Sequence, residues 1–415
     1  MELLQTISDT ANQKVQRFLQ EERIKPRPGA SSGVWMSFLL PTAVILGANI
    51  NHNVSEVYHI AATLSFGLLA TSAFFLFKKC SSNKQDYLFI IPPVFTYIWL
   101  FFYNKIGIWF SVAGGFASYS FSEAVILLLD ANPKSLTYGE ASVVTQSLLL
   151  FLYTASISLV NSWYNMPVSC MDISTLILQV WLVLYWVVCS GLGIIAVTSQ
   201  VEGKEHASTV VRKHFHILAV VVFIPGLIRE CCFLYLATGV VLALFVALEL
   251  LRVLRLPPLG DFLQSGFAVF ADEKDAGTLA LTPIYLLVGC SLPLWLYPVN
   301  TLQDRCTGQN LLPLLSGILT IGVGDTAASV FGTWFGRTKW KGTKKTKEGT
   351  LASIICQIIV ILLLTHLGYI TYSGAMLLCS TSAVVLTSVL EAKTDQVDNL
   401  ALPLVMYILL LPLSQ

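Results

Sequence analysis

Charge is what this sequence has least of. Only 24 of its 415 residues are acidic and 25 are Lys or Arg, against 55% apolar residues. The net charge of +1 supplies no bulk field for nucleic acid, which is excluded as a partner on that ground. The nine cysteines sit mostly in apolar runs and form no C-x-x-C pair, so neither a zinc site nor a disulfide framework is expected. No G-x-x-x-x-G-K-S/T occurs, which rules out a P-loop. No small-residue cleavage site follows the first apolar run, so no removable signal peptide is expected.

What is present is a succession of apolar runs from Val34 onward, many near the ~20 residues that cross a bilayer. Lipid offers the backbone no hydrogen-bond partners, so spanning segments are helical. The expected fold is all-α, a polytopic transmembrane helical bundle of about 13 spans (range 11–15). They are placed at 34–50, 57–77, 87–103, 106–129, 140–160, 173–198, 214–228, 231–251, 279–298, 311–335, 351–370, 374–390 and 400–413. Residues 1–33 form an N-terminal segment, 34–130 a first set of helices, and 131–415 a second transmembrane domain carrying the polar segment 322–350.

The N-terminal segment and the even-numbered loops between these spans hold 22 of the 25 Lys and Arg residues. By the positive-inside rule those stretches, with the N-terminus, are cytoplasmic. The sequon Asn53-Val54-Ser55 falls on the opposite side. In the loop 253–275, Leu259, Phe262, Leu263, Phe267 and Phe270 recur at helical spacing, as in a helix lying in the interface or one packed on the bundle.

Ionisable residues beside spans are costly and point to function. Glu140 opens the fifth span, and "RKHFH" (Arg212, Lys213, His214, Phe215, His216) opens the seventh. Glu249 and Arg252 stand one helical turn apart, close enough to pair. Asp272 and Asp275 precede the ninth span, and "EAKTDQVDNLALP" (391–403) joins the last two. All lie toward the cytoplasmic side.

The densest polar stretch is "GVGDTAASVFGTWFGRTKWKGTKKTKEGT" (322–350), with one aspartate, six cations and one glutamate. Asp325, Ala328, Gly332 and Gly336 are spaced i, i+3, i+7 and i+11, one face of a helix. Small residues there allow close helix packing, and Asp325 adds a charge to the same face. The loop that follows offers Gly342 and Gly349 for backbone approach, Lys344 and Lys345 as point charges, and Thr343 and Thr346 as donors. Polyphosphate calls for such groups, and an aspartate is the usual anchor for nucleotide-bound Mg²⁺. In a straight helix over 311–335, Asp325 would sit about 15 Å from the cytoplasmic end, a depth disfavoured for a lipid-facing carboxylate. Gly322 and Gly324 therefore predict that the apolar span ends near Val323, with 325–336 a separate helical piece beside a polar cavity.

The run "GDTAASVFGTWFG…WKGTKKTKEGT" closely resembles the CTP-binding signature of eukaryotic dolichol kinases. "TYGEASVVTQ" (137–146), "RKHFH", "ELLR" (249–252), "FADEKDAGTLALTPIYLLVGCSLPLWLYP" (270–298) and "LEAKTDQVDNLALPL" (390–404) resemble that family in the same order. The likeness covers roughly residues 135–405; the first 130 residues match only in being membrane-spanning. It implies phosphoryl transfer from CTP, with Mg²⁺ or another divalent cation, to the terminal hydroxyl of dolichol on the cytoplasmic face of the endoplasmic reticulum membrane. The product, dolichyl phosphate, would carry sugars for glycosylation. On this reading Gly324, Asp325, Gly332, Gly336, Gly342, Thr343, Lys344, Lys345, Thr346, Glu348 and Gly349 meet the nucleotide, and Asp325 holds the metal. Asp395, Asp398 and His214 are candidate bases for the alcohol. Glu140, Arg212, Lys213, Glu249, Arg252, Asp272 and Asp275 form a supporting polar cluster. Kinases of other lipid alcohols, such as phytol or diacylglycerol, remain alternatives. A CDP-diacylglycerol synthase would carry a "PGHGG…DR.D" pattern that is absent, and a secondary transporter often shows an internal repeat that is not found.

Overall fold

The computed structural model describes residues 2–51, 54–79, 90–164, 173–202, 209–270, 277–298, 311–371 and 373–414. Asn53 of the sequon, Asp272 and Asp275 lie outside these ranges, as does the side chain of Arg212. Every regular element among the described residues is helical. Eight helices are long and apolar enough to cross a membrane, and four shorter ones are apolar. The expected spans fall on these twelve helices, and 214–228 on α8 (Thr209–Arg229), whose first turns carry charge; eight of them meet the length and hydropathy of a membrane span. The chain is a multi-pass membrane protein, and its regular elements among the described residues are helices.

It divides into two compact units, the first Met1–Val168 with Ala276–Thr278 and Pro298–Asn300. The first unit holds α1 (Glu2–Glu21), α2 (Leu39–Ile50), α3 (Glu56–Phe74), α4 (Ile91–Phe102), α5 (Ile108–Ala131) and α6 (Tyr138–Tyr164). The amphipathic α1 buries Val15, Phe18 and Leu19. Phe18 sets its edge on Phe75 at 5.3 Å, and Phe75 stacks on Tyr138 at 5.4 Å, an arrangement that adds to the burial of the rings.

α6 begins with a reciprocal cap. Glu140 Oε2 accepts from Thr137 N at 2.9 Å, and Thr137 Oγ1 accepts from Glu140 N at 3.3 Å. This is the capping box that T-x-x-E encodes. Glu140 Oε1 also accepts from Arg27 Nη2 at 2.6 Å, both side chains being buried.

The second unit holds α7 (Ile173–Glu202), α8, α9 (Cys231–Val253), α10 (Leu259–Phe270), α11 (Thr282–Leu296) and α12 (Leu311–Leu314). A π-helical stretch, Ile318–Asp325, leads directly into α13 (Thr326–Phe335). α14 (Lys347–His366), α15 (Gly374–Lys393) and α16 (Asp398–Leu410) complete it. The helix α10 appears where the periodic apolar residues predict one. It is fixed to α9 by Arg252, which donates to Gln264 Oε1 at 2.6 Å and lies 4.8 Å over the Phe267 ring. Cys231 is disulfide-bonded, contrary to the expectation from cysteine spacing, which registers only neighbouring pairs.

The predicted break near Val323 is absent. The backbone stays helical through Asp325 (φ −66°, ψ −34°), and the departure from α geometry is the wider π turn that precedes it. The two glycines serve packing. A Cβ on Gly322 would lie 2.2 Å from Val220 Cγ2 of α8, and one on Gly324 would lie 2.6 Å from Gln357 Nε2 of α14. Neither glycine adopts a positive φ; they let two helices close on the segment. π turns of this kind recur at functional sites.

Candidate functional site

One cavity of about 430 Å³ opens in the second unit, a volume typical of small-molecule pockets. Asp325 lies on its wall, with 6% of its surface exposed. Lys213 Nζ donates to Asp325 Oδ2, and His216 Nε2 lies 3.3 Å from the same oxygen. Residues three apart share a helix face, so α8 presents Lys213 and His216 together. His214, one of the three candidate bases, is exposed and does not line the cavity.

The loop 337–346 folds into a small hairpin. Trp340 N donates to Lys345 O at 3.0 Å, Thr343 N to Trp340 O at 3.3 Å, and Lys347 N to Thr338 O at 2.8 Å. Gly342 occupies the tip with φ +81°, a conformation glycine takes without steric cost. Thr343 accepts from Lys345 N at 3.3 Å, and Glu348 accepts from Thr338 N at 3.0 and 3.1 Å. Gly342, Thr343 and Glu348 thus shape the loop rather than line the cavity. Thr346 caps α14 by accepting from Gly349 N at 3.2 Å. Thr346, Gly349 and Thr350 line the cavity, so the N-terminus of a 20-residue helix faces it, where backbone N–H groups and the helix dipole favour anions.

The small-residue face of α13 packs on that same turn. A Cβ on Gly349 would lie 2.6 Å from Ala328 O, and one on Gly332 2.9 Å from Thr346 Oγ1. Ala328 and Gly332 also line the cavity, because side chains this small leave the space open. Gly336 packs on Thr346 without lining it, and Gly324 faces Gln357 instead.

The two adjacent lysines differ. Lys344 is exposed at the cavity wall. Lys345 reaches Glu391 O at 2.6 Å, Glu391 Oε1 at 3.5 Å and Asp398 Oδ2 at 3.2 Å. Burial works against its charge, but the carboxylates of Asp398, Glu391 and Asp325 outweigh that and raise its pKa above the ordinary lysine value. It therefore ties the hairpin to the end of α15 and the start of α16. Asp398 lines the cavity, while Asp395 is exposed and accepts from Gln396 Nε2 at 2.7 Å. Glu391, His216, Tyr285 and Asn399 also line the cavity and were not among the expected site residues.

The supporting cluster is dispersed. Glu249 takes two bonds from Arg252 at 2.7 and 2.8 Å and one from Ala280 N at 2.6 Å, a structural pair holding the segment before α11. Glu140 belongs to the first unit and acts as cap and ion-pair partner there. Glu140→Ala removes both roles and deprives the buried Arg27 of its ion pair with Glu140. The expected cost is about 3–5 kcal/mol, measured by thermal unfolding, with nucleotide affinity unchanged below the melting range.

Among the described residues no group of three or more His, Cys, Asp and Glu side chains is suited to hold a metal ion. Asp325 nonetheless fits one that arrives on a polyphosphate: its Oδ1 has no partner among the described residues, since both bonds fall on Oδ2. The remaining ligands would come from phosphate oxygens and water, as is common for Mg²⁺.

Three stretches grouped on one side by the positive residues thus meet at one cavity: the start of α8, the hairpin, and the turn between α15 and α16. Fold and site define a multi-pass helical membrane protein with a polyphosphate-suited pocket where helix ends meet. The family model for dolichol kinase matches residues 140–389. The dolichol kinase of Mus musculus is 44% identical over 244 residues, covering 56% of this chain and 45% of its own length. That of Homo sapiens is 44% identical over 245 residues, with the same shares. The Saccharomyces cerevisiae dolichol kinase is 32% identical over 227 residues, 53% of this chain and 40% of its own length. The chain belongs to the dolichol kinase family, and it spans about half the length of the curated relatives it matches. No solved structure matches it.

Proposed function

We propose that this chain transfers the γ-phosphoryl group of CTP to the terminal hydroxyl of dolichol, yielding dolichyl phosphate and CDP. The observation that carries this reading is the convergence of Asp325, Lys213, Lys344 and the α14 N-terminus on one cavity in a member of this family. Phosphoryl transfer depends mainly on positioning and charge neutralisation, which these groups provide. Lys344 and the α14 backbone N–H groups hold phosphate oxygens, and Lys213 leaves Asp325 for the phosphates when nucleotide enters. A divalent cation held by Asp325, when bound, supplies neutralisation of the charge that develops on the transferred group. Of the three expected bases only Asp398 lines the cavity. It accepts the hydroxyl proton as the alcohol oxygen bonds to the γ-phosphorus and the bond to the β–γ bridging oxygen breaks.

The reading places the cavity on the cytoplasmic face of the endoplasmic reticulum membrane. The distribution of positive residues supports this orientation. So does Cys231, whose disulfide suits an oxidising compartment. It follows Arg229, the end of α8 remote from Lys213 by about 24 Å at 1.5 Å per residue. The test is transfer of label from γ-labelled CTP to dolichol in membranes containing only this protein. Labelled dolichyl phosphate is expected; label passing only to another lipid alcohol, or to none, would defeat the proposal.

A further inference from the structure

The cavity has a wall without charge. Thr282 and Tyr285 come from α11, and Asn399 from the first turn of α16. α11 and α16 meet at Gly289, where a Cβ would lie 1.9 Å from Asn399 O. Gly289 is one helical turn from Tyr285, so the contact sets Tyr285 and Asn399 on neighbouring parts of the same wall. The ionisable groups belong to the other sides: Lys213 and Asp325 from α8 and the π turn, Lys344 and Lys345 from the hairpin, and Glu391 and Asp398 around Lys345.

Asn399 is the unusual member of the neutral wall. Only 9% of its surface is exposed, yet its side-chain amide makes no hydrogen bond with any described residue. Its amide atoms keep their accessible surface at the cavity, so they are placed to bond what enters it. Among its neighbours, Asp398 Oδ2 is bonded to Lys345, and Gln396 to Asp395. An amide offers one acceptor and a pair of donors in a plane. That matches a heterocyclic edge carrying an amino donor beside a ring-nitrogen acceptor.

We infer that Asn399 reads the base of the nucleotide, with Oδ1 accepting from the cytosine 4-amino group and Nδ2 donating to N3, while Tyr285 bounds the base pocket. This rests on the proposed use of CTP and adds the residue that separates it from UTP, whose 4-oxo group and N3–H reverse the pattern; adenine presents the same donor–acceptor pair. Phosphates suit the cationic side of the cavity and the base suits the neutral one, so the nucleotide lies across it from the hairpin toward α11 and α16. A site built to satisfy polar groups on its ligand rejects analogues that leave those groups unpaired. Loss of one bidentate amide–base contact typically narrows discrimination by roughly 10- to 100-fold.

The experiment is competition of CTP, UTP, ATP and inorganic triphosphate against labelled CTP on the full chain in detergent, with wild type, Asn399→Ala and Asn399→Leu. The leucine variant keeps roughly the volume without donor, acceptor or added charge, so it guards against a cavity-induced folding defect in the alanine variant. Both are expected to bind CTP roughly 10- to 100-fold more weakly, to lose the preference for CTP over UTP, and to keep wild-type affinity for inorganic triphosphate. Unchanged preference in both variants overturns the inference, as does an equal loss for every competitor including triphosphate. A wild type that shows no preference for CTP defeats the proposed donor itself, which separates that failure from this one.

Discussion

Asp325→Asn is expected to abolish phosphoryl transfer, by about three orders of magnitude or more, the scale on which a metal ion's several kcal/mol of charge stabilisation is lost. An amide keeps the shape and still accepts a hydrogen bond from Lys213 or His216. It carries no charge to hold a divalent cation against the phosphates. Nucleotide binding in the presence of Mg²⁺ is expected to fall with activity, while any metal-independent binding persists.

The same substitution also disturbs the fold, because Lys213 and Asp325 are both largely buried, at 13% and 9% side-chain exposure. Removing one charge of such a pair leaves the other unpaired, which in buried settings costs about 3–5 kcal/mol. Lys213 lines the cavity and can turn toward it, so the lower end is expected. A double variant, Asp325→Asn with Lys213→Met, separates the two effects. It removes the stranded ammonium, so thermal stability returns toward wild type while transfer stays lost. Recovery of transfer in the double variant, or more than a tenth of wild-type activity in Asp325→Asn alone, would remove Asp325 from the chemistry.

What the sequence discloses of this arrangement follows from the range of each interaction. Periodicity and local charge act over a few residues, so the helices, the grouping of polar stretches on one side, and the shared face of Lys213 and His216 are all readable. The T-x-x-E spacing at Thr137 and Glu140 encodes a capping box as well, yet Glu140 reads first as a supporting site residue, and only its burial against Arg27 makes the structural role plain. Contacts between distant segments leave no such mark. Nothing near Lys345 announces that Glu391 and Asp398, 46 and 53 residues onward, take up its charge. Gly322 and Gly324 read equally well as a helix break and as a packing surface. Only the positions of Val220 and Gln357 decide for packing.

The contrast between the paired lysines yields the second large effect. Lys344→Ala is expected to weaken nucleotide binding by the 1.5–3 kcal/mol typical of a charge-assisted hydrogen bond, or about 10- to 150-fold in Kd. Its melting temperature stays that of wild type, because Lys344 is exposed. Lys345→Ala differs in kind. It leaves Glu391, 7% exposed, and Asp398, 14% exposed, without the ammonium between them, and it frees the turn that carries Asn399. Lys345 itself is 34% exposed, so solvent screens part of the interaction and the expected loss of stability is about 1.5–3 kcal/mol. Nucleotide affinity falls as well, since the 391–399 turn forms part of the cavity wall. Adding Glu391→Gln to Lys345→Ala relieves the repulsion between the two carboxylates and is expected to restore part of the melting temperature without restoring affinity. Paired measurement of thermal unfolding and CTP binding on the three variants decides the matter. If Lys345→Ala loses affinity with an unchanged melting temperature, as Lys344→Ala does, then Lys345 is a phosphate contact and its bonds to Glu391 and Asp398 are incidental.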